Sequence, residues 1–321
     1  MFKLKSKILA LSMVVIVGAF GLIGCSNDKD EVVEKDIPKV VLVLDKGGVQ
    51  DGSFNESAWK GATNAGVDLD VEVKYLESNT DADYAQNIEI AIDMGSDLII
   101  GVGFNLSQAI EEAALNYPDQ QFAIIDGSFK NTPDNVTSIL FDEKEAGYLA
   151  GIITAKIVNS NKFGFVGGIE VPAVINYKDG FEQGLKEVNP NAELYIQYAN
   201  SFTDASKGRI IAEQMVNQGV EAIMTAGGMV NAGVYEVCNE KGKYAVAVDM
   251  AQSHISPNTI LTSAIKKVDI GVYDTIREYT TGKLKGGVSN IYNISNNGVG
   301  YEDTDYLTDE VRNLINKKIN K

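Results

Sequence analysis

The chain has 321 residues, of which 45% are hydrophobic and 22% charged, enough for about two domains and a substantial core, which excludes a disordered or fibrous protein. Lys plus Arg total 28 against 44 Asp plus Glu, a formal charge of -16 that provides no basic face for nucleic-acid phosphates. One histidine (His254) and two cysteines (Cys25 and Cys238) exclude most zinc sites, most Ser-His-Asp and Cys-His arrangements and any disulfide framework, so no metal or cofactor is expected.

Lys3, Lys5 and Lys7 precede an apolar run over 8–23 that ends in Leu22-Ile23-Gly24-Cys25, the pattern of an export signal closing on a lipobox. Residues 1–24 are expected to be removed and Cys25 to carry lipid. A transmembrane anchor is the alternative, but the run is short for a span of ~20 residues. Loss of the three lysines moves the formal charge from -16 to -19, so a strongly acidic domain is expected on the outer face of the cell membrane. Residues 25–37 are polar and without apolar periodicity, and read as a flexible tether. With Cys25 lipidated, Cys238 is left as a core thiol in the helical stripe Val234, Val237, Cys238.

From residue 39 onward, β-branched runs alternate with amphipathic stretches, which predicts βαβ units on mostly parallel sheets and an α/β class. Strands are predicted over 40–44, 71–76, 98–102 and 122–125, each apolar enough to be covered on both faces. A helix between the second and third carries Ala85, Ile88 and Ile92 on one face, with Thr80 or Asp81 as cap before it and Gly95 as stop after it. The series restarts with strands over 163–166, 194–198, 222–224 and 245–248. Its helices carry Ile211, Ala212, Met215 and Val216, and then the Val234 stripe. A strand over 260–265, a helix over 268–279, a strand near Ile291 and a final helix are too short for a third domain and are expected to cross back. The expected lobes are therefore discontinuous: 38–142 with 266–288, and 143–265 with 289–321.

In open α/β sheets, ligands bind beyond the carboxyl ends of the strands. Three predicted strands end there in an acid: Asp45, Asp126 and Asp249. Each alone is as well explained by turn chemistry, but repetition in both halves favours a shared polar site. Gly47, Gly48 and Gly52 follow Asp45 and allow the backbone to approach a ligand. Neither GxGxxG nor GxxxxGK[ST] is present, and Asp45 and Asp51 would repel a phosphate, so an uncharged ligand is indicated. Ser53 or Asn55 is expected to start the next helix, and Asn55 is also expected among the ligand-binding residues of this loop. Phe54, on the loop just before it, is a staple against that helix or a stacking plate. Gly227 and Gly228 join a strand to a helix and offer backbone amides at its N-terminus. Lys266, following the 260–265 strand, either donates to a ligand or pairs with an acid.

Together these segments resemble the basic membrane protein family of bacterial substrate-binding lipoproteins, in the branch of purine nucleoside receptors that serve ABC importers. The likeness is carried by the lipobox, DKGGVQDGSFNESAWKG over 45–61, GVGF over 101–104, FAIID over 122–126, GYLAG over 147–151 and GFVGGIEVP over 164–172. GFEQG over 180–184, AGG over 226–228, AVDMAQ over 247–252 and LTSAIKKVD over 261–269 extend it through nearly the whole chain.

The resemblance implies a two-lobed periplasmic-binding-protein type I fold like that of ribose-binding protein, with three crossovers, closing on a nucleoside and handing it to permease subunits. A monomer is expected, and no enzymatic activity. Residue by residue, Asp249 matches the acid that holds the ribose hydroxyls, and Asp126 and Lys266 match polar groups lining the same cleft. Asp45 and Asp51 face the ligand, Asp51 standing where asparagine often stands, and Phe54 matches the ring stacked on the base. The opposing ring is Phe202, with Tyr177 and Phe104 as alternatives. A sugar or autoinducer receptor on the same fold and, less favoured, a nucleoside or glycoside hydrolase are the rival readings.

Overall fold

The segment KVVLVL (Lys39–Leu44) is buried at every position but its first, and forms the interior strand β1 of a parallel sheet in the computed structural model. The structure describes residues 37–320; the export signal, Cys25 and the tether before residue 37 lie outside the described residues. After β1 come α1 (Phe54–Leu69), β2 (Glu72–Leu76), α2 (Asp83–Asp93), β3 (Leu98–Val102), α3 (Ser107–Asn116), β4 (Gln121–Ile125) and β5 (Val136–Phe141). The chain then enters a second sheet through α4 (Glu143–Ile157), β6 (Lys162–Gly167), α5 (Pro172–Val188), β7 (Glu193–Tyr198), α6 (Ala205–Asn217), β8 (Ala222–Ala226), α7 (Val230–Lys241), β9 (Tyr244–Asp249) and β10 (Ile260–Lys266). It returns through α8 (Val268–Thr280) and β11 (Val288–Tyr292), and crosses a last time to β12 (Val299–Tyr301) and α9 (Asp309–Ile319).

Strand order is β11-β5-β4-β3-β1-β2 in one six-stranded sheet and β12-β10-β9-β8-β6-β7 in the other. The two orders superimpose position by position, so β4 corresponds to β9 and β5 to β10. Pairing is parallel throughout the first sheet, and β12 alone runs antiparallel, against β10. β11 reaches Tyr292 within the first sheet, past the boundary expected at 288. β5 and β12 have no counterpart in the sequence reading. Thr137 and Ser138 interrupt the apolar run of β5, and β12 has only three residues.

β3 and β8 are buried along their whole length, as strands sheathed by helices on both faces must be. The expected double burial fails for β2: Glu72, Tyr75 and Lys74 are exposed or half-exposed because β2 is an edge strand, and its charges discourage pairing with another chain. In α2 the buried stripe is Tyr84, Ile88 and Ala91, while Ala85 faces solvent. Neither Thr80 nor Asp81 caps this helix: the residue before it is Ala82, with no side-chain cap bond, and Asp83 in the first turn instead holds the preceding turn, its carboxylate accepting from the Asn79 and Thr80 amides at 2.8 Å. The expected stop at Gly95 is present, in left-handed backbone at φ +67°. Cys238 is fully buried on α7, and burial pushes its thiol up to about 12.

The two glycine motifs GYLAG and GFEQG have a packing explanation. Gly147 and Gly151 of α4 lie against the Tyr177 and Phe181 carbonyls of α5, and Gly180 and Gly184 of α5 against the Lys144 and Tyr148 carbonyls of α4. A Cβ at any of the four would fall within 2.1 to 2.4 Å of those oxygens. The helix axes can approach this closely only with hydrogen in those positions.

The crossing segments lie side by side. The Asp142 amide donates to Tyr292 O at 2.8 Å, the Lys267 amide to Gly298 O at 2.9 Å and the Ile294 amide to Glu145 Oε2 at 2.8 Å. The joint between the sheets is thus hydrogen-bonded to itself. Among the described residues no helix is long and apolar enough to cross a membrane.

Candidate functional site

The carboxyl ends of β1, β4 and β9 bring Asp45, Asp126 and Asp249 to one cleft between the sheets, with about 700 Å³ of empty volume. Asp126 and Asp249 end the corresponding strands of the two lobes. Both hold left-handed backbone, at φ +61° and +65°, which turns their side chains out of the strand's alternation. Asp45, Asp51, Phe54, Phe104, Asp126, Tyr177, Phe202, Gly227, Gly228, Asp249 and Lys266 all line this cleft. Asn55 does not. It is buried behind Asp45 and donates Nδ2 to Asp45 Oδ1 at 2.8 Å, alongside the Gly47 amide at 3.0 Å.

Lys266 resolves the alternative left open by the sequence. Its Nζ lies 2.5 Å from Asp126 Oδ2 and 3.0 Å from Glu143 Oε1, and 5.0 and 5.2 Å from the ring centres of Phe54 and Phe141. Burial by itself lowers a lysine, but Asp126, Glu143 and Asp249 outweigh it and hold Lys266 above its ordinary value, hence charged. Two carboxylates engage two of its three N–H donors, so a third remains. Asp126 Oδ1 is buried and accepts no hydrogen bond from the described residues. One cleft-lining ion pair therefore has a spare donor and a spare acceptor together.

The other acids are arranged by local chemistry. Asp249 Oδ2 accepts from Ser53 Oγ at 2.5 Å and its Oδ1 from Tyr177 Oη at 3.3 Å. Burial raises Asp249 despite the opposing pull of Lys266 and Ser53. Asp45 is likewise raised by burial, against its bonds from Asn55 and Gly47. Asp51 accepts from the Ser53, Asn55 and Glu56 amides at 2.9 to 3.1 Å, so it, and not Ser53 or Asn55, caps α1. Burial pushes Asp51 up to about 6 in spite of those three bonds.

Phe54 is the first residue of α1 and half-buried, not part of an exposed loop. From the other lobe, the half-buried Phe202 ring packs where a Cβ on Gly168 would fall, 2.3 Å away. Tyr177 is buried, with its hydroxyl directed to Asp249 and Ala264 O, and Phe104 is 37% exposed at the rim. The glycine loop behaves differently from expectation. The Gly227 amide donates to Asn231 Oδ1 at 2.8 Å and those of Met229, Val230 and Asn231 bond to Phe202 O, Gly227 O and Gly228 O, so this helix start is largely satisfied within the protein. Gly228 serves geometry, at φ +58°.

Sequence reasoning missed Ser53 as a partner of Asp249, Glu143 as a partner of Lys266, and the apolar wall of Val171, Val174 and Val248. Glu143 carries a weak signal, the second of two acids that follow β5 at the lobe junction. The valines look like any core residue until the fold exposes one face of them to the cleft.

Residues 38–321 match the family described as ABC transporter substrate-binding protein PnrA-like. The chain is 37% identical to the CD4+ T-cell-stimulating antigen of Listeria innocua, over 94% of this chain and 91% of that one. It is 33% identical to the ABC transporter nucleoside-binding protein BmpA of Lactococcus lactis subsp. cremoris, over 98% and 96%. Among solved structures, an ABC transporter solute-binding protein of Aeropyrum pernix K1 superimposes with a TM-score of 0.78 at 32% identity, covering 83% of this chain and 77% of that one. These matches cover the elements that build the cleft, and the chain belongs to the Bmp family of PnrA-like ABC transporter substrate-binding proteins, which bind solutes and are not enzymes.

Proposed function

We propose that the cleft captures nucleosides, with preference for the purine nucleosides inosine, guanosine and adenosine, and delivers them to the permease of an ABC importer. The observation that carries this reading is the convergence of carboxylates and aromatic rings from both lobes on one cleft, with the Asp126–Lys266 pair still offering a donor and an acceptor. In this reading Asp249, Asp126 and Lys266 hold the ribose hydroxyls, Asp45 and Asp51 accept from the base, and the base lies between Phe54 and Phe202.

The energetics are adequate. A hydrogen bond to a charged group is worth roughly 1.5 to 3 kcal/mol and base stacking about 1 to 3 kcal/mol. A few of each reach the ~8 kcal/mol of micromolar affinity, after the cost of ordering the ligand. Neither lobe holds the ligand alone, so binding stabilises the closed form, and closure is the signal read by the permease. Lipid on Cys25 keeps a monomeric receptor on the outer face of the membrane beside that permease. The Lactococcus relative's name, a nucleoside-binding protein, supports the ligand class.

Calorimetric titration of the domain with inosine, guanosine, adenosine, cytidine and ribose tests the proposal. A purine nucleoside is expected to bind most tightly. Ribose binding more tightly than every nucleoside moves the assignment to a sugar receptor, and release of free base moves it to a hydrolase.

A further inference from the structure

Glu143 is 2% exposed and lies outside the residues that line the cleft. It is the first residue of α4, immediately after the first crossover, where the preceding Asp142 amide is bonded to Tyr292 O at the third. Its Oε1 accepts from Lys266 Nζ at 3.0 Å and its Oε2 from Asn176 Nδ2 of α5 at 3.1 Å. Lys266 is the last residue of β10, at the second crossover. One carboxylate therefore joins the joint between the lobes to the only lysine among the described residues that line the cleft.

Such a carboxylate is costly to keep. Burial raises Glu143 to about 7, Lys266 pulls against it, and the nearby Asp126 charge adds to the rise. A group serving only to neutralise Lys266 is redundant, since Asp126 and Asp249 already face that ammonium. What Glu143 adds is direction. Asp126 and Asp249 both line the cleft, whereas Glu143 draws the ammonium back from it, toward α4. Without that counter-pull the ammonium is free to turn about Asp126 Oδ2 toward the unsatisfied Asp126 Oδ1 and toward Asp249, the acceptors that a ligand hydroxyl needs.

We propose that Glu143 is a positioning residue for Lys266, holding the ammonium on Asp126 Oδ2 and off the unsatisfied Asp126 Oδ1 and Asp249, with one N–H free for ligand, and tying its placement to the crossovers about which the lobes turn. The affinity part of this inference rests on the nucleoside reading; the placement of Lys266 does not.

The test combines a double-mutant cycle with nuclear magnetic resonance of the lysine side chain. Glu143→Gln is expected to weaken inosine binding about tenfold, Lys266→Met to weaken it at least as much, and the double variant to bind no more weakly than Lys266→Met, within about twofold. Additive losses overturn the proposal. In ligand-free protein the Lys266 Nζ–H resonance is expected to shift and exchange faster in Glu143→Gln; an unchanged resonance also overturns it, whereas a purely structural role lowers only the melting temperature. If wild type binds no nucleoside, the functional reading fails while the resonance still decides the role of Glu143. Should Glu143→Gln not fold, Asn176→Ala loosens the same carboxylate from outside the cleft lining and is expected to shift the resonance in the same sense; no shift there overturns the proposal.

Discussion

Ser53 at the start of α1 and Asp249 at the end of β9 are 196 residues apart in the chain, and the serine hydroxyl donates to the carboxylate at 2.5 Å across the cleft. This bond spans the two lobes and occupies Asp249 Oδ2, while Tyr177 Oη donates to Oδ1. Ser53→Ala is expected to weaken nucleoside binding about three- to tenfold and to enlarge the radius of gyration of the ligand-bound form in small-angle scattering. Equal affinity and equal size in both proteins remove the bond from the closure mechanism.

Asp249 is the acid with most to lose. Asparagine tolerates its left-handed backbone, so Asp249→Asn keeps the fold while removing the charge; Asp249→Ala adds strain of about 1 kcal/mol at φ +65°. Both are expected to lower nucleoside affinity at least ~10-fold, with Asp249→Ala melting at the lower temperature. Wild-type affinity in Asp249→Asn excludes a direct contact.

Asp51 provides a pH signature. Its folded value, about 6, lies above the unfolded 3.8, so between those values the folded state binds more protons than the unfolded one. Its contribution to stability therefore falls as pH rises from about 4 to 6 and is level above that. Glu143, raised to about 7 from 4.5, extends the same sign to neutral pH. Thermal melts of wild type and Asp51→Asn are expected to show the difference in stability shrinking or reversing in favour of Asp51→Asn as pH increases through this window. A difference independent of pH would falsify the assignment of a raised Asp51.

The α4–α5 contact is equally open to test. A methyl at Gly180 would fall 2.1 Å from Lys144 O, which the helices can relieve only by separating. Gly180→Ala is expected to destabilise by about 1 to 3 kcal/mol in denaturant unfolding, although alanine raises helix propensity. Because α5 carries Tyr177 and Asn176, ligand affinity is expected to fall with it. A more stable Gly180→Ala protein contradicts the close packing.

Much of the fold was legible because strands sheathed on both faces are continuous apolar runs and the helices between them carry 3.6-residue stripes. β3 ends where the sequence places it, and β1, β4 and β10 differ by a residue at one end. β5 escaped notice because its hydroxyl-bearing residues dilute the pattern, and the exposure of β2 could not be anticipated because edge position is a property of strand order. At the cleft, acids at strand ends were visible as breaks in apolar runs. The cap formed by Asp51 was assigned to its neighbours because an acid three residues before a helix and a serine one residue before it are both ordinary starts.

By itself the sequence determined the alternating architecture, the net acidic charge and which strand ends carry acids, since these depend on composition and on spacing within a few residues. Only the tertiary structure decided that Lys266 serves Asp126, 140 residues away, together with Glu143, that Asn55 braces Asp45 instead of facing the cleft, and that the Gly227 amide is already spent. Ion pairs and hydrogen bonds between distant segments leave no periodic trace along a chain; they exist once the backbone has brought two groups within about 3 Å and excluded the water that would otherwise separate them.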